Sequence, residues 1–583
     1  MHDGLSFVGR RNTIAELTGR LDQALSGRGS LVLVAGEAGI GKTTLVEHFA
    51  AVAGERDVRV LWGGCWPGQG QSPYWPFVQV LRSCVADWGW DRVSGSVGGD
   101  ARYLSRLLPE READPGGEDE STRFRLFDTL TRVLVGRAAE EPLVVVLEDL
   151  HWADVGSLRY LEFLGHQLRQ AGLLVIGTYR DVDAEDPALT ERLPQLRRFG
   201  PRLDITGLDR DEVGLLMRSI TATRPDADLV TRVHRSSGGN PLFAAEVARL
   251  LGAGGSGEDI PAAVEHVIDR RLALLGPDEV ALLSTAAVLG AEFDQVELAD
   301  LANLAVTDVR GLLSESLRRR VLVAGDGGRF RFLHALLRDA LYRRLDLAGR
   351  ESLHRRAGEV ILARSTDQGA VASRVAHHFS RGNGPRQAVE YDVLAGKHAM
   401  RSLAFEDAVR HFARAAEIVA QGEGPQRCEI LMSLALARWR AGNGKLAAQT
   451  YQEAFDLAKA IGDVRALGLA ALGCCVRDEL WANEPKLIAN LECALDALED
   501  KDPALRARLL ARLSRELVLV PGTEARRSVL VAEAEQVARA VDDPAALAEV
   551  LGTMHNAHWT PDNARDRLRT AVEIMELGRR AGD

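Results

Sequence analysis

SLVLVAGEAGIGKTTLVEHF, Ser30 to Phe49, is the stretch whose reading decides the fold. Leu31–Ala35 is an unbroken apolar run, the pattern of a strand buried on both faces. Gly36-x-x-x-x-Gly41-Lys42-Thr43 follows at once, and then a helical pattern. Strand, glycine loop and helix in that order form the context in which a P-loop motif is to be trusted. Gly36, Gly39 and Gly41 carry no Cβ, so the loop can curl and turn its N–H groups inward on phosphate oxygens. A helix starting near Lys42 adds the positive end of its dipole. Lys42 can reach the β- and γ-phosphates, and the Thr43 hydroxyl can ligate Mg²⁺. Ile40 and Thr44 complete the expected nucleotide-binding loop.

Downstream, Pro142 opens LVVVLEDLHWAD, Leu143–Asp154. Five apolar residues ending in two carboxylates form a Walker B pattern. A buried strand of this kind delivers acidic side chains to its C-terminal edge, where doubly wound sheets bind ligands. One carboxylate is expected to serve the Mg²⁺ shell and the other to orient the attacking water. Here Glu148 comes first and Asp149 second, and the pattern leaves open which faces the metal. Leu173–Tyr179 is another strand pattern ending at Arg180. An Arg at a strand tip can sense a γ-phosphate or sit in a surface ion pair. Val58–Gly63 and Leu203–Thr206 supply two further short strands. Gly95–Gly99 and Pro109–Glu120 read as polar loops, and Cys65–Pro76 as a Gly/Pro-rich one.

Length and composition bound the rest. A chain of 583 residues exceeds one hydrophobic core and predicts several domains. The net charge of −11 and the absence of a basic stripe argue against a nucleic-acid-binding surface. No apolar run approaches a membrane span, and MHDGLSFVGRRN has no signal-peptide core. Cys65, Cys84, Cys428, Cys474, Cys475 and Cys493 make no metal pattern and fit reduced thiols in a cytoplasmic protein.

From Asp209 the pattern turns helical. Gly238-Gly239-Asn240-Pro241 breaks one helix and starts another, with Pro241 near N1. Helices at Pro261–Leu275, Pro277–Leu289, Val296–Leu301 and Val306–Arg319 precede a hairpin signal, Val321–Val323 and Phe330–Phe332. Helices followed by a two-stranded wing suggest a winged-helix fold. From about Arg350 the chain reads as paired amphipathic helices repeating about every 40 residues, with aspartates at 463, 502, 543 and 583 marking the ends. The expected fold is therefore multidomain: an α/β P-loop NTPase with a parallel sheet (1–207), a helical lid (208–256), a winged-helix domain (257–348) and an all-α solenoid resembling tetratricopeptide repeats (349–583).

These pieces resemble the signal-transducing (STAND) NTPases, in particular the large ATP-binding regulators of the MalT/LuxR type. FVGR at Phe7–Arg10, GEAGIGKTTL at Gly36–Leu45, LEDLHWAD at Leu147–Asp154, GTYRD at Gly177–Asp181, GGNPLF at Gly238–Phe243 and RFLHALLRDALY at Arg331–Tyr342 carry the resemblance. It implies that Val8 and Arg10 lie by the adenine, although Arg11 stands where the family usually has Glu. It also implies that Pro241 packs on the base and that His334 meets the β-phosphate of ADP. The catalytic set is then Lys42, Glu148, Asp149 and Arg180, and the metal set Thr43, Glu148 and Asp149. LuxR-type regulators carry a helix-turn-helix after the repeats, and no such segment precedes Asp583. The expectation is either a piece of a longer regulator, reaching DNA through a domain outside this chain, or a protein acting through protein contacts. The function expected is an ATP/ADP switch with weak ATPase activity. An inducer or partner protein would act on the repeats, and the ATP-bound form would self-associate. The alternative is an ATP-binding scaffold with little hydrolysis.

Overall fold

The computed structural model describes residues 7–65, 72–108, 120–180, 187–221, 225–252, 272–273, 275–319, 321–333, 335–419, 424–475, 485–557 and 563–581. They fall into two compact units: Met1–Ala113 with Phe124–Tyr391, and Asp392–Asp583 with Asp114–Arg123. None of the described helices is long and apolar enough to cross a membrane.

In the first unit, β1 (Ser30–Gly36), β2 (Arg59–Gly64), β3 (Leu143–Glu148), β4 (Leu173–Arg180) and β5 (Arg202–Asp204) form one five-stranded sheet in the order β2-β3-β4-β1-β5. Every pairing is parallel. β1 is buried along its whole length, because α1 (Arg11–Leu25) and α2 (Lys42–Gly54) cover one face of it. Leu17 and Leu21 of α1 and Leu45 and Phe49 of α2 share a core with Val32 and Val34 of β1. Burial on both faces is what turns a strand into a continuous apolar run. The register sets Gly36 beside Arg180 and Gly64 beside Glu148, so the P-loop, the paired carboxylates and Arg180 meet at one sheet edge. Gly95–Gly99 is not a loop: Trp90–Val97 is α-helical and Gly98–Asp100 a 3₁₀ turn. Buried Val93 and Val97 anchor that helix and outweigh its glycine.

Beyond β5, α3 (Arg210–Thr221), α4 (Ala227–Ser237) and α5 (Pro241–Gly252) make a small bundle around Val213, Met217, Val233 and Phe243. Gly238, at φ 58°, closes α4 in the left-handed region, and Pro241 opens α5. The helices Pro277–Leu289, Gln295–Ala302 and Val306–Arg318 then pack with an antiparallel sheet of β6 (Glu292–Asp294), β7 (Leu322–Ala324) and β8 (Arg329–Phe332), in the order β6-β8-β7. The hairpin is where the sequence places it, but β6 is a third strand too short to carry a period. His334 and most of the helix expected at 261–275 lie outside the described residues. The helices Leu347–Arg364 and Gln368–Arg381 also pack here: Ala357 shares this core, and Arg374 pairs with Glu297 at 3.0 Å.

The second unit is helical. Asp463 and Asp502 do not end helices. Their carboxylates cap the next ones, accepting from the Ala466 and Leu505 N–H at 2.9 and 3.1 Å, and Asp543 caps likewise through Ala545 and Ala546 at 3.0 Å. A helix start and the preceding helix end lie within a few residues, so the 40-residue period holds while the marker changes side.

A buried polar chain ties the helices that follow β8. The Tyr342 hydroxyl meets His354 Nε2 at 2.9 Å, and His354 Nδ1 meets His378 Nδ1 at 2.9 Å. One of the two Nδ1 atoms must donate and the other accept, so the pair is lost once both rings are protonated. Burial, with His377 and nearby arginines (Arg381 beside His354, Arg374 beside His378) adding to it, pushes His354 down to about 3 and His378 well below its usual value. Both folded-state values lie below those of the unfolded chain. Their contribution is therefore complete above about pH 6.5 and is lost as the pH falls. Between pH 7.5 and pH 5 the unfolding free energy should fall by about 2 kcal/mol for each histidine kept neutral. His354→Gln should shrink that slope, and a denaturation midpoint flat across this range in the wild-type chain would contradict the network.

Candidate functional site

The P-loop is held by its carbonyls. Lys42 Nζ donates to Gly36 O at 2.8 Å and to Glu37 O at 2.9 Å. Asn240 Nδ2 donates to Ala38 O at 3.1 Å, Leu242 N to Gly39 O at 3.3 Å, and Arg10 Nη2 to Ile40 O at 2.7 Å. Five successive carbonyls are thus claimed by donors from Lys42, the N-terminal segment and the lid, which turns the opposing N–H groups toward the loop interior. Gly39 and Gly41 adopt φ 74° and 93°, values that L side chains rarely take. Gly41 is also the N-cap of α2 and offers no side chain, so the first N–H groups of the helix, Lys42 to Thr44, have no side-chain cap from it. An anion is the partner such an end favours.

The lid touches this loop directly. A Cβ on Gly39 would lie 2.8 Å from Leu242 Cδ2, and one on Gly41 would lie 3.5 Å from Pro241 Cγ. Pro241 therefore sits over the loop at Gly41. Asn240 Oδ1 accepts from Leu242 N at 3.0 Å and so fixes its own amide toward Ala38. From the other end of the chain, Val8 packs against the lid core, and a Cβ on Gly9 would overlap the Glu212 carboxylate. Arg10, at φ 57°, points its guanidinium into the loop. Burial lowers its pKa, and Glu212 opposes that shift. Phe7–Arg10 thus bridges P-loop and lid.

The paired carboxylates separate by environment. The Thr43 hydroxyl donates to Glu148. Burial pushes Glu148 up to about 6, against that hydrogen bond and the positive charge of Arg331, with Asp149 and Glu47 adding to the rise. Asp149 faces the other way, toward Lys42 and Arg180. Its burial raises it, while Lys42, Arg180 and Arg331 pull it down. Its φ of 56° turns it away from the strand direction, and its N–H is held by Thr178 Oγ1 at 2.9 Å. Geometry thus separates what the sequence left open: Glu148 shares the Thr43 side and Asp149 the lysine side. Thr43 and Glu148 are an all-oxygen pair, which suits Mg²⁺. Among the described residues no group of three or more His, Cys, Asp or Glu could hold a metal. An ion there would complete its shell with phosphate and water oxygens.

Sequence reasoning did not single out several residues of this site. Asn240 and Leu242 were read only as a helix start, although GGNP places an amide at the turn. Arg331, exposed on β8, bears on both carboxylates from the small antiparallel sheet. The strand alternation Arg329–Phe330–Arg331–Phe332 predicts its outward direction but not what it faces. His151 follows the carboxylates, and among the described residues neither of its ring nitrogens has a hydrogen-bond partner. Burial, with Arg180 and Lys42, pushes it down to about 3. Its neutral imidazole lies 3.9 Å from Asp149.

A parallel sheet with this strand order, a glycine loop capping α2, and carboxylates at the end of β3, separated from β1 by β4, define a P-loop NTPase domain. Residues 6–176 match the family model of the AAA ATPase domain. Over 487 residues the chain is 26% identical to an uncharacterized protein of Rhizobium meliloti, covering 74% of this chain and 44% of that protein. The chain therefore spans less than half the length of this curated relative. Among solved structures it is similar to a signal transduction ATPase with numerous domains and a tetratricopeptide repeat sensor from Pyrococcus horikoshii, at 14% identity and a TM-score of 0.43, over 99% of this chain and 85% of that one. It is also similar to the ORC2 protein of Aeropyrum pernix, at 16% identity and a TM-score of 0.30, over 61% and 94%. Both TM-scores fall below 0.5, so neither likeness carries weight for function.

Burial is the main cause that lowers Lys42 to about 8, with Asp149 opposing and Arg180 adding. The ammonium is charged below that value and neutral above it. Nucleotide phosphates should therefore lose their cation as the pH rises past 8, with ATP affinity falling by up to about tenfold per unit. Titration calorimetry between pH 7 and pH 9.5 reads this, and a flat affinity would contradict the placement of Lys42.

Proposed function

We propose that this chain is an ATP-dependent switch of the STAND type with slow hydrolysis. The observation that carries the reading is the clamp on the P-loop. Lid, N-terminal segment and Lys42 all hold carbonyls of the loop that would grip the phosphates. Phosphates entering the loop compete with Gly36 O and Glu37 O for the Lys42 ammonium, so nucleotide state and loop support are coupled. With ADP, Pro241 and Asn240 keep the lid on the loop. With ATP, Arg180 and His151 lie where a longer phosphate tail would reach. Thr43 and Glu148 would hold Mg²⁺, which would neutralise phosphate charge. Asp149 is the carboxylate left to orient water. For such a device to switch, the two nucleotides must differ in affinity for the two states by a few kcal/mol.

The same reading extends, on the resemblance of motifs, to a cytoplasmic regulator of the LuxR type that self-associates when ATP is bound. It would control transcription through a DNA-binding domain outside these residues, with an inducer or partner protein acting on the repeats. Val8, Arg10 and Pro241 would line the adenine, and His334 would meet the β-phosphate. The scaffold alternative draws support from one observation: Asp149 is shared between Lys42 and Arg180, an arrangement that can hold a carboxylate away from water.

Two variants test the proposal. Glu148→Gln should keep ATP binding and reduce steady-state phosphate release by at least about tenfold. Asn240→Ala should speed ADP dissociation about fivefold or more. Phosphate release indistinguishable from buffer in the wild-type chain favours the scaffold, and an unchanged ADP off-rate removes the lid from the mechanism.

A further inference from the structure

The helical repeats carry a cavity of about 620 Å³, within the range of about 300–1,000 Å³ typical of small-molecule sites. Its walls come from corresponding positions of successive repeats. Met432, Leu472 and Arg512 line it, 40 residues apart in turn, and Leu469, Arg508 and Glu549 line it at nearly the same interval. The repeat period therefore stacks one face of the helices Gly424–Arg440, Val464–Cys474, Pro503–Glu516 and Pro544–Ala557 into a single wall. Met432, Leu469 and Leu472 are only partly buried against the core beneath, and Leu436, also on the wall, is 40% exposed. They offer an apolar floor.

The polar end is asymmetric. Arg508 Nε lies 2.7 Å from a Glu549 carboxylate oxygen, an ion pair without hydrogen-bond geometry. Among the described residues its two terminal nitrogens have no partner within hydrogen-bond reach, and the side chain is 31% exposed. Arg512, one turn on, is already committed: Nη2 donates to Cys475 O at 2.6 Å and Nε pairs with Glu516 at 2.9 Å. A guanidinium that is ion-paired but makes no hydrogen bond through Nε, with its terminal nitrogens open beside an apolar floor, suits a carboxylate carried on an apolar body. Packing fixes the depth of the floor. A Cβ on Gly473 would overlap the Tyr451 ring, so this position must stay glycine for the ring to lie flat beneath the cavity.

We propose that this cavity binds a small amphipathic carboxylate, its apolar body on Met432, Leu436, Leu469 and Leu472 and its carboxylate on the outer edge of Arg508. The site lies wholly within the repeats and does not depend on the nucleotide reading. The test is calorimetric titration of the full chain with octanoate and, as the uncharged isostere, octan-1-ol. Octanoate should bind at least tenfold more tightly than octan-1-ol. Arg508→Gln should reduce octanoate affinity at least tenfold while leaving octan-1-ol unchanged, with the far-ultraviolet dichroism of the variant matching that of the parent. Leu436→Glu, at a half-exposed position that tolerates a polar side chain, should abolish both. Absence of octanoate binding, equal affinity for acid and alcohol, or octanoate affinity untouched by both substitutions would overturn the assignment.

Discussion

The structure depends on where five carbonyls point. Gly36 to Ile40 form the turn between a fully buried strand and a helix. In any such turn the N–H and C=O groups must go to opposite sides. Here each carbonyl has a donor: Lys42 for the first two, then Asn240, Leu242 and Arg10. The amides are left facing inward, the kind of concavity that favours an anion. Because the donors come from the loop itself, the N-terminal segment and the lid, the concavity is a property of three parts of the chain together.

That sharing explains the uneven chemistry around the loop. Lys42 holds two of the five carbonyls, and its lowered pKa reflects its burial in the loop. Glu148 and Asp149 are adjacent in sequence yet answer to different neighbours, because the left-handed backbone at Asp149 rotates it away from the Thr43 side. Arg331 reaches both from β8, so the small antiparallel sheet contributes charge to a site whose backbone it does not build.

The strands of the parallel sheet were legible because burial on both faces writes itself as apolar runs, and because Gly36 and Gly41 admit few other readings; their order β2-β3-β4-β1-β5 is set by the fold. The lid's grip was not legible. Asn240 has the sequence look of a helix start, and only the fold sets its amide 3.1 Å from Ala38 O. Glu148 and Asp149 could be named but not told apart, since the φ of 56° at Asp149 that turns the two carboxylates to different neighbours has no mark in the sequence. In the repeats the period is readable, but the sequence does not say on which side of the helix break Asp463, Asp502 and Asp543 act, and their carboxylates cap the following helices. The Gly95–Gly99 stretch misled because its glycines outweighed two buried valines in the reading. Short strands such as Glu292–Asp294 leave no periodic trace at all.

The central claim is that P-loop and lid act as one body through these carbonyls. Hydrogen–deuterium exchange of the full chain, with and without ADP, tests it most directly. Peptides covering 36–45 and 236–243 should gain protection together on adding ADP, and Asn240→Ala should uncouple them. Protection confined to 36–45, with 236–243 unchanged in the wild-type chain, would contradict it.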